Sequence, residues 1–114
     1  MKEIEEVIGR HEARNRELVD LITRKGGNLE IDRTVDLHFW AYDAARAESL
    51  AEALRECGLR NVIARVSAKD AAVWNVEGQI VRSVLQVVGR NFVARFAILA
   101  SSHEADFDGW GTSL

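Results

Sequence analysis

The sequence has no proline, a single cysteine and no long apolar run among its 114 residues. Because Cys57 has no second cysteine to pair with, a disulfide within the chain is excluded, and we interpret it as a buried structural thiol on a helix. No stretch approaches the roughly 18 apolar residues of a membrane helix, and the acidic start of the chain lacks the apolar core of a signal peptide. We therefore expect a cytoplasmic protein that makes no contact with a membrane.

The sequence also lacks a concentration of charge of one sign. Its 15 basic and 18 acidic side chains give a net charge of −3, and no window gathers a block of like charges. Proteins that bind nucleic acid through phosphates usually carry a basic cluster, whereas the arginines here are dispersed along the chain. We therefore expect no direct binding of nucleic acid.

The apolar residues that are present follow helical and strand periods. Spacings of three, four and seven from Ile4 to Ile22 predict an amphipathic helix that ends at Gly26. A period of two from Arg33 then predicts a strand with one face on a core. Asp43 is the expected N-cap of the next helix, which ends near residue 58.

The second half of the chain predicts a hairpin, a helix and a last strand. The hairpin has arms at residues 62–67 and about 71–82, with a bulge or bend expected at Gly78. Ser83 and Gln86 form a capping box that opens one helix reaching residue 103, with Gly89 inside it. The final strand is expected from Asp106 to about residue 113.

This order of elements predicts an α+β fold. A helix followed by strand-helix-strand-strand-helix-strand corresponds to a ferredoxin-like α/β sandwich (βαββαβ), with two helices on one face of a four-stranded antiparallel sheet and an extra N-terminal helix. The chain has no linker-like segment, so we assign residues 1–27 to an N-terminal helix within the same domain as residues 28–114. The other sheet face is left to that helix, to solvent or to a partner, and the sequence does not choose among them.

Several short motifs resemble one known family. These are Arg33-x-Val35-Asp36 at the start of a strand, Cys57-Gly58 at a helix end, Trp74, and Phe107-Asp108-Gly109-Trp110-Gly111-Thr112. Together they resemble the regulator of ribonuclease E activity B family over about residues 28–114, with the Asp-Gly-Trp segment as the most specific part. The resemblance implies a ferredoxin-like sandwich and a non-catalytic protein without a cofactor. It also implies a protein partner, the scaffold region of RNase E or another degradosome component, and an effect on messenger RNA turnover.

The candidate partner-binding face lies on the first strand. Asp36, His38 and Trp40 share one side of that strand, where they form either a polar and aromatic recognition patch or a set of side chains lying under the N-terminal helix. Both interpretations stay open. The alternative function is a homo-oligomeric module, such as a homodimer, that binds a ligand or partner unrelated to RNase E.

Catalytic and metal chemistry find little support in the sequence. His11-Glu12 begins like the zinc motif H-E-x-x-H, but Asn15 stands where the second histidine ligand would be. An enzyme site would have to combine His38, Asp36 and Asp108, and we rank that hypothesis last. The family motif is interpreted as structural: Asp108 caps a turn before Gly109, and Trp74 and Trp110 anchor the fold.

Overall fold

The computed structural model describes residues 4–113. Within that range the chain forms α1 (Ile4–Arg24), β1 (Asp32–Ala41), α2 (Ala44–Glu56), β2 (Arg60–Val66), β3 (Trp74–Ser83), α3 (Val84–Val87), α4 (Arg90–Ser102) and β4 (Asp106–Thr112). The four strands make one sheet in the order β2-β3-β1-β4, and all neighbours are antiparallel. The predicted α+β class and the ferredoxin-like arrangement are confirmed.

One face of the sheet carries the hydrophobic core. Val35, Leu37 and Phe39 of β1 point to this face and are at most 1% exposed. Helix α2 packs over β1, β2 and β3, and α4 packs beside β4. Phe39 and Phe96 approach each other with ring centroids 6.4 Å apart, so α4 and the central strand share the core. We call the opposite side, away from α2 and α4, the open face.

The ends of α2 follow the sequence prediction. The Asp43 carboxylate accepts a hydrogen bond from the backbone N–H of Arg46 at 2.7 Å, which satisfies a donor of the first turn. Gly58, just past the helix, has φ +91°, the left-handed geometry that favours glycine. Cys57 is the C-cap and is half-buried rather than fully buried.

The predicted long helix after Ser83 is two helices. The capping box of Ser83 and Gln86 is present, but α3 ends at Val87 and Gly89 becomes the N-cap of α4 with φ −63° and ψ 143°. A Cβ on Gly89 would lie 3.2 Å from the carbonyl oxygen of Gln86. The apolar period runs through this break because both helices face the same core, so periodicity alone could not detect it.

The irregularity expected at Gly78 lies in the neighbouring strand. β1 and β3 pair without interruption through Gly78, whereas the pairing of β2 with β3 shifts between Arg60 and Ile63. A Cβ at Gly78 would lie 2.9 Å from Cδ2 of Leu59 and 3.0 Å from Cγ2 of Val62. Gly78 therefore permits a close approach and makes no bulge of its own.

Helix α1 lies against α4 and the edge of β4. Its Ile8 and Ile22 are buried, and Arg90 of α4 makes ion pairs with Glu5 and with Glu12, the latter at 2.7 Å. Its side chains also reach the backbone of β4. Because α1 extends the helical layer sideways, it leaves the open face uncovered.

Candidate functional site on the open face of the sheet

Strand alternation brings the three predicted face residues together. Asp36, His38 and Trp40 alternate with fully buried neighbours along β1, and each is half-buried. They lie on the open face, and within residues 4–113 helix α1 packs on α4 rather than over these β1 residues. The interpretation that places them beneath the N-terminal helix is therefore wrong, because α1 packs on α4 and the β4 edge.

A charged row crosses the sheet at His38. Nδ1 of His38 is 3.3 Å from the carboxylate of Glu77 on β3, and the other oxygen of Glu77 accepts from Arg65 of β2 at 2.9 Å. The side chains of His38 and Glu77 are 44% and 33% exposed. This row joins three strands while its polar atoms stay accessible to water.

A second polar row runs parallel to the first. Gln79 donates to the carboxylate of Asp36 at 2.9 Å, and Asn61 donates to the side-chain oxygen of Gln79 at 2.7 Å. Asp36 therefore has its own partner and is not paired with His38. The two rows give the open face a defined pattern of donors and acceptors.

Trp40 lies at the boundary between the open face and α1. It faces Asn75 on β3 and Asp106 on β4. The hydroxyl of Tyr42 donates to the Asp106 carboxylate, and this hydrogen bond raises the pKa of Tyr42 to about 12. A cleft of about 400 Å³ beside Trp40 and Tyr42 is also lined by Arg10 and Arg14 of α1.

The family motif forms a bulge in β4. Phe39 pairs with Phe107 but His38 pairs with Gly109, so Asp108 is the extra residue, and Gly109 has φ +125°. Because Asp108 is an extra residue, the side chains after the bulge point to the opposite face from the one that strict alternation would give. Phe107 and Trp110 are therefore both buried. Asp108 was expected to cap a turn. Instead the strand continues through it, because the extra residue is absorbed by the bulge.

Helix α1 holds the bulge through three side chains. Nε2 of His11 donates to the carbonyl of Phe107 at 3.0 Å, Arg14 donates to the carbonyl of Asp108 at 2.8 Å, and Oδ1 of Asn15 accepts from the indole N–H of Trp110 at 2.8 Å. Asn15 is 3% exposed. The bulge thus fixes the position of α1 and presents Asp108 beside His38 in a cavity of about 270 Å³.

Burial changes the titration of His11. Its pKa is lowered because burial disfavours the charged ring, and the nearby Arg14 and Arg10 act in the same direction. The hydrogen bond to the carbonyl of Phe107 and the charge of Asp108 oppose this shift. A neutral ring that donates from Nε2 to that carbonyl fits both observations.

Sequence reasoning missed half of the open face. It selected the residues of β1 but not Glu77, Gln79 and Arg65, which complete the two rows. The available signal was the polar alternation of Asn75, Glu77 and Gln79 along β3. Trp74 lies at the start of β3 and packs partly against the core on the other face, so it does not belong to this surface.

The fold of residues 4–113 also bears on metal-binding and membrane-spanning features. Among residues 4–113, no group of three or more His, Cys, Asp and Glu side chains is placed to hold a metal ion. In that same part of the chain, no helix has both the length and the apolar character needed to cross a membrane. The open face carries hydrogen-bonding side chains, exposed charges and a half-buried indole.

Comparison with known proteins agrees with the terminal motif. Residues 12–112 match the family model described as "Regulator of ribonuclease activity B". No curated protein matches the chain. The matched region includes the whole sheet, both helices packed on it, and Arg14 and Asn15 of α1, whereas His11 lies just before it. The chain therefore belongs to the regulator of ribonuclease activity B family.

Proposed function

We propose that this protein regulates RNase E by binding it through the open face, without catalysing a reaction. The family is one of ribonuclease regulators, which supports an effect on ribonuclease activity and on messenger RNA turnover. The scaffold region of RNase E, or a degradosome component bound to it, is the proposed partner, and the site of action is the cytoplasm.

The ionisable side chains of the open face are bonded to neighbouring side chains, and this arrangement favours binding over catalysis. Glu77 is shared between Arg65 and His38, and Asp36 is bonded to Gln79. A general acid or base has to be placed for proton exchange with a substrate. Side chains occupied by one another at an exposed surface suit recognition by a partner better than proton transfer.

The single observation that carries the proposal is the setting of Trp40. It is half-buried on the central strand β1, next to the charged row of His38 and in a face that α1 leaves uncovered. Binding energy in protein interfaces is concentrated at a few residues, tryptophan and arginine among them, within a polar rim. Trp40 is therefore the proposed anchor, with His38 and Asp36 as the polar contacts around it.

An RNA cleavage assay tests the proposal. Cleavage by the source organism's RNase E is followed with increasing amounts of wild-type protein, of Trp40→Ala and of Ile98→Ala. Ile98 is 52% exposed on α4 and lies away from the open face, so it controls for loss of an exposed apolar side chain. We expect wild type and Ile98→Ala to slow cleavage equally. Trp40→Ala should require at least about 10 times as much protein to slow cleavage to the same extent.

Two results would count against the proposal. If wild-type protein neither binds RNase E nor changes its cleavage rate, the ribonuclease role is wrong and another partner must be sought. If all three proteins act equally, the role stands but the open face is not the contact surface. Circular dichroism of each variant verifies that its fold is retained.

A further inference from the structure

The two edges of the sheet are protected very differently. At the β4 edge, His11 and Arg14 of α1 donate to the carbonyls of Phe107 and Asp108. At the β2 edge, one such contact is present in the described residues, from Arg55 of α2 to the carbonyl of Val62 at 3.2 Å. An uncovered edge strand offers unpaired N–H and C=O groups to another strand.

The contacts around β2 indicate which backbone groups face outward. The carbonyl of Val62 accepts from Arg55 of α2, whereas the N–H of Ser67, at the other end, donates inward to Val73 at 2.8 Å. Because both backbone polar groups of a residue point to one side of an antiparallel strand and alternate along it, Val62, Ala64 and Val66 face outward. Ile63 and Arg65 face β3.

The side chains of this edge provide little protection against pairing. Ile63 and Val66 are 42% and 47% exposed, and both are β-branched. Arg65 is the one charged residue in 62–66, and its charge is met within the chain by Glu77. Proteins usually guard an edge with unpaired lysines, a proline or a covering segment.

We propose that two copies of this chain pair through β2, antiparallel and related by a twofold axis at Ala64. In this register Ala64 lies opposite Ala64 of the second copy, Val62 opposite Val66, and Ile63 opposite Arg65. The outward N–H and C=O groups of Val62, Ala64 and Val66 then form hydrogen bonds with those of the second copy. The carbonyl of Val62 can accept such a bond in addition to the one from Arg55. This pairing is isologous and closes at two copies.

Neighbouring registers are less favourable. An axis at Arg65 would set two like charges directly opposite each other, which destabilises cross-strand pairs. An axis at Ile63 would place Val66 against Arg60, where the pairing of β2 with β3 is already irregular. The register at Ala64 avoids both problems and covers the exposed parts of Val66 and Ile63.

The pairing has a geometric consequence for the open face. An axis perpendicular to the sheet keeps both open faces on the same side, so the dimer presents two copies of Trp40 on one continuous eight-stranded surface. The inference itself does not depend on a role with RNase E. Since the shared segment is short, we expect reversible association rather than an obligate dimer.

Sedimentation equilibrium of the full chain tests the pairing. Between about 1 µM and about 1 mM, the apparent mass of wild type should rise from that of one chain toward twice that mass. Ala64→Pro removes the N–H at the axis, which the alternation of β2 turns away from β3, and should stay at the mass of one chain throughout. Proline is tolerated at such edge positions.

A second pair of variants covers the case in which Ala64→Pro does not fold. Val66→Lys adds a charge at the paired edge and should also remain monomeric, whereas Val81→Lys, at a valine that is 48% exposed on β3, should associate like wild type. The proposal is overturned if wild type stays monomeric up to about 1 mM, or if Val66→Lys dimerises as wild type does. Capture of an extended peptide by a chain that never self-associates would equally contradict it.

Discussion

At the scale of single residues, Trp110 connects the terminal motif to α1. The indole is 7% exposed and donates to Asn15, which is itself buried. Removing the ring leaves a cavity and an unpaired acceptor, so Trp110→Ala should lower the free energy of unfolding by about 3–5 kcal/mol. Urea unfolding measures this change, and a loss below about 1 kcal/mol would indicate a surface role for Trp110.

Trp110→Phe separates the hydrogen bond from the packing. Phenylalanine keeps most of the apolar contact but leaves Oδ1 of Asn15 without its donor, which should cost about 1–3 kcal/mol. A loss as large as that of Trp110→Ala would show that the hydrogen bond, rather than the ring volume, dominates.

His11 should make stability depend on pH near neutrality. Its pKa in the folded protein is lowered from the ordinary value of 6.5, mainly by burial. The unfolded chain therefore binds the proton more readily than the folded chain. The contribution of the neutral His11 ring to the free energy of unfolding is complete above about pH 6.5 and is lost as the pH decreases below that value. Urea unfolding between about pH 8 and about pH 5 should show that the free energy of unfolding depends less on pH for His11→Gln than for wild type. An equal pH dependence of the two proteins would contradict the lowered pKa of His11.

Residue roles were predictable where they depend on neighbours in sequence. Asp43 and Ser83 were identified as caps because a cap bonds to residues three positions on. Asn15, by contrast, meets Trp110 across 95 positions. A contact of that kind depends on how helices and strands pack, which no local pattern contains.

At the scale of elements, the β4 bulge depends on glycine for two reasons. Gly109 has φ +125°, and a Cβ there would lie 3.0 Å from Nη1 of Arg14. Gly109→Ala should therefore lower the free energy of unfolding by about 1–3 kcal/mol.

Gly111 supplies the matched control for that substitution. It lies two residues further along β4, and a Cβ there would meet no atom of residues 4–113 within 4 Å. Gly111→Ala should change stability by less than about 0.5 kcal/mol. Equal losses for the two variants in urea unfolding would mean that the bulge has no special requirement for glycine.

Element types could be predicted more securely than their interruptions. The period of two in β1 placed its residues on the correct faces, because alternation follows directly from strand geometry. The break at Gly89 escaped detection, since α3 and α4 bury the same stripe, and the bulge opposite Gly78 could not be assigned to a strand before the pairing was known.

At the scale of the whole molecule, element order was enough to predict the sandwich. A βαββαβ order leaves few ways to cover one sheet face with two helices. The position of α1 was not predictable, since its amphipathic pattern fits either sheet face or the side of α4. Ion pairs of Arg90 with Glu5 and Glu12, together with the bonds to β4, fix it beside α4.

The location of α1 decides the central proposal, because it leaves Trp40 on an uncovered face. The three tryptophans report on separate regions: Trp40 on the open face, Trp74 at the start of β3, and Trp110 in the core against Asn15. Their indole N–H groups give distinct NMR signals. Titration of the full chain with the scaffold region of RNase E should shift or broaden the Trp40 signal and leave that of Trp110 unchanged. An unchanged Trp40 signal at saturating scaffold would contradict binding through the open face.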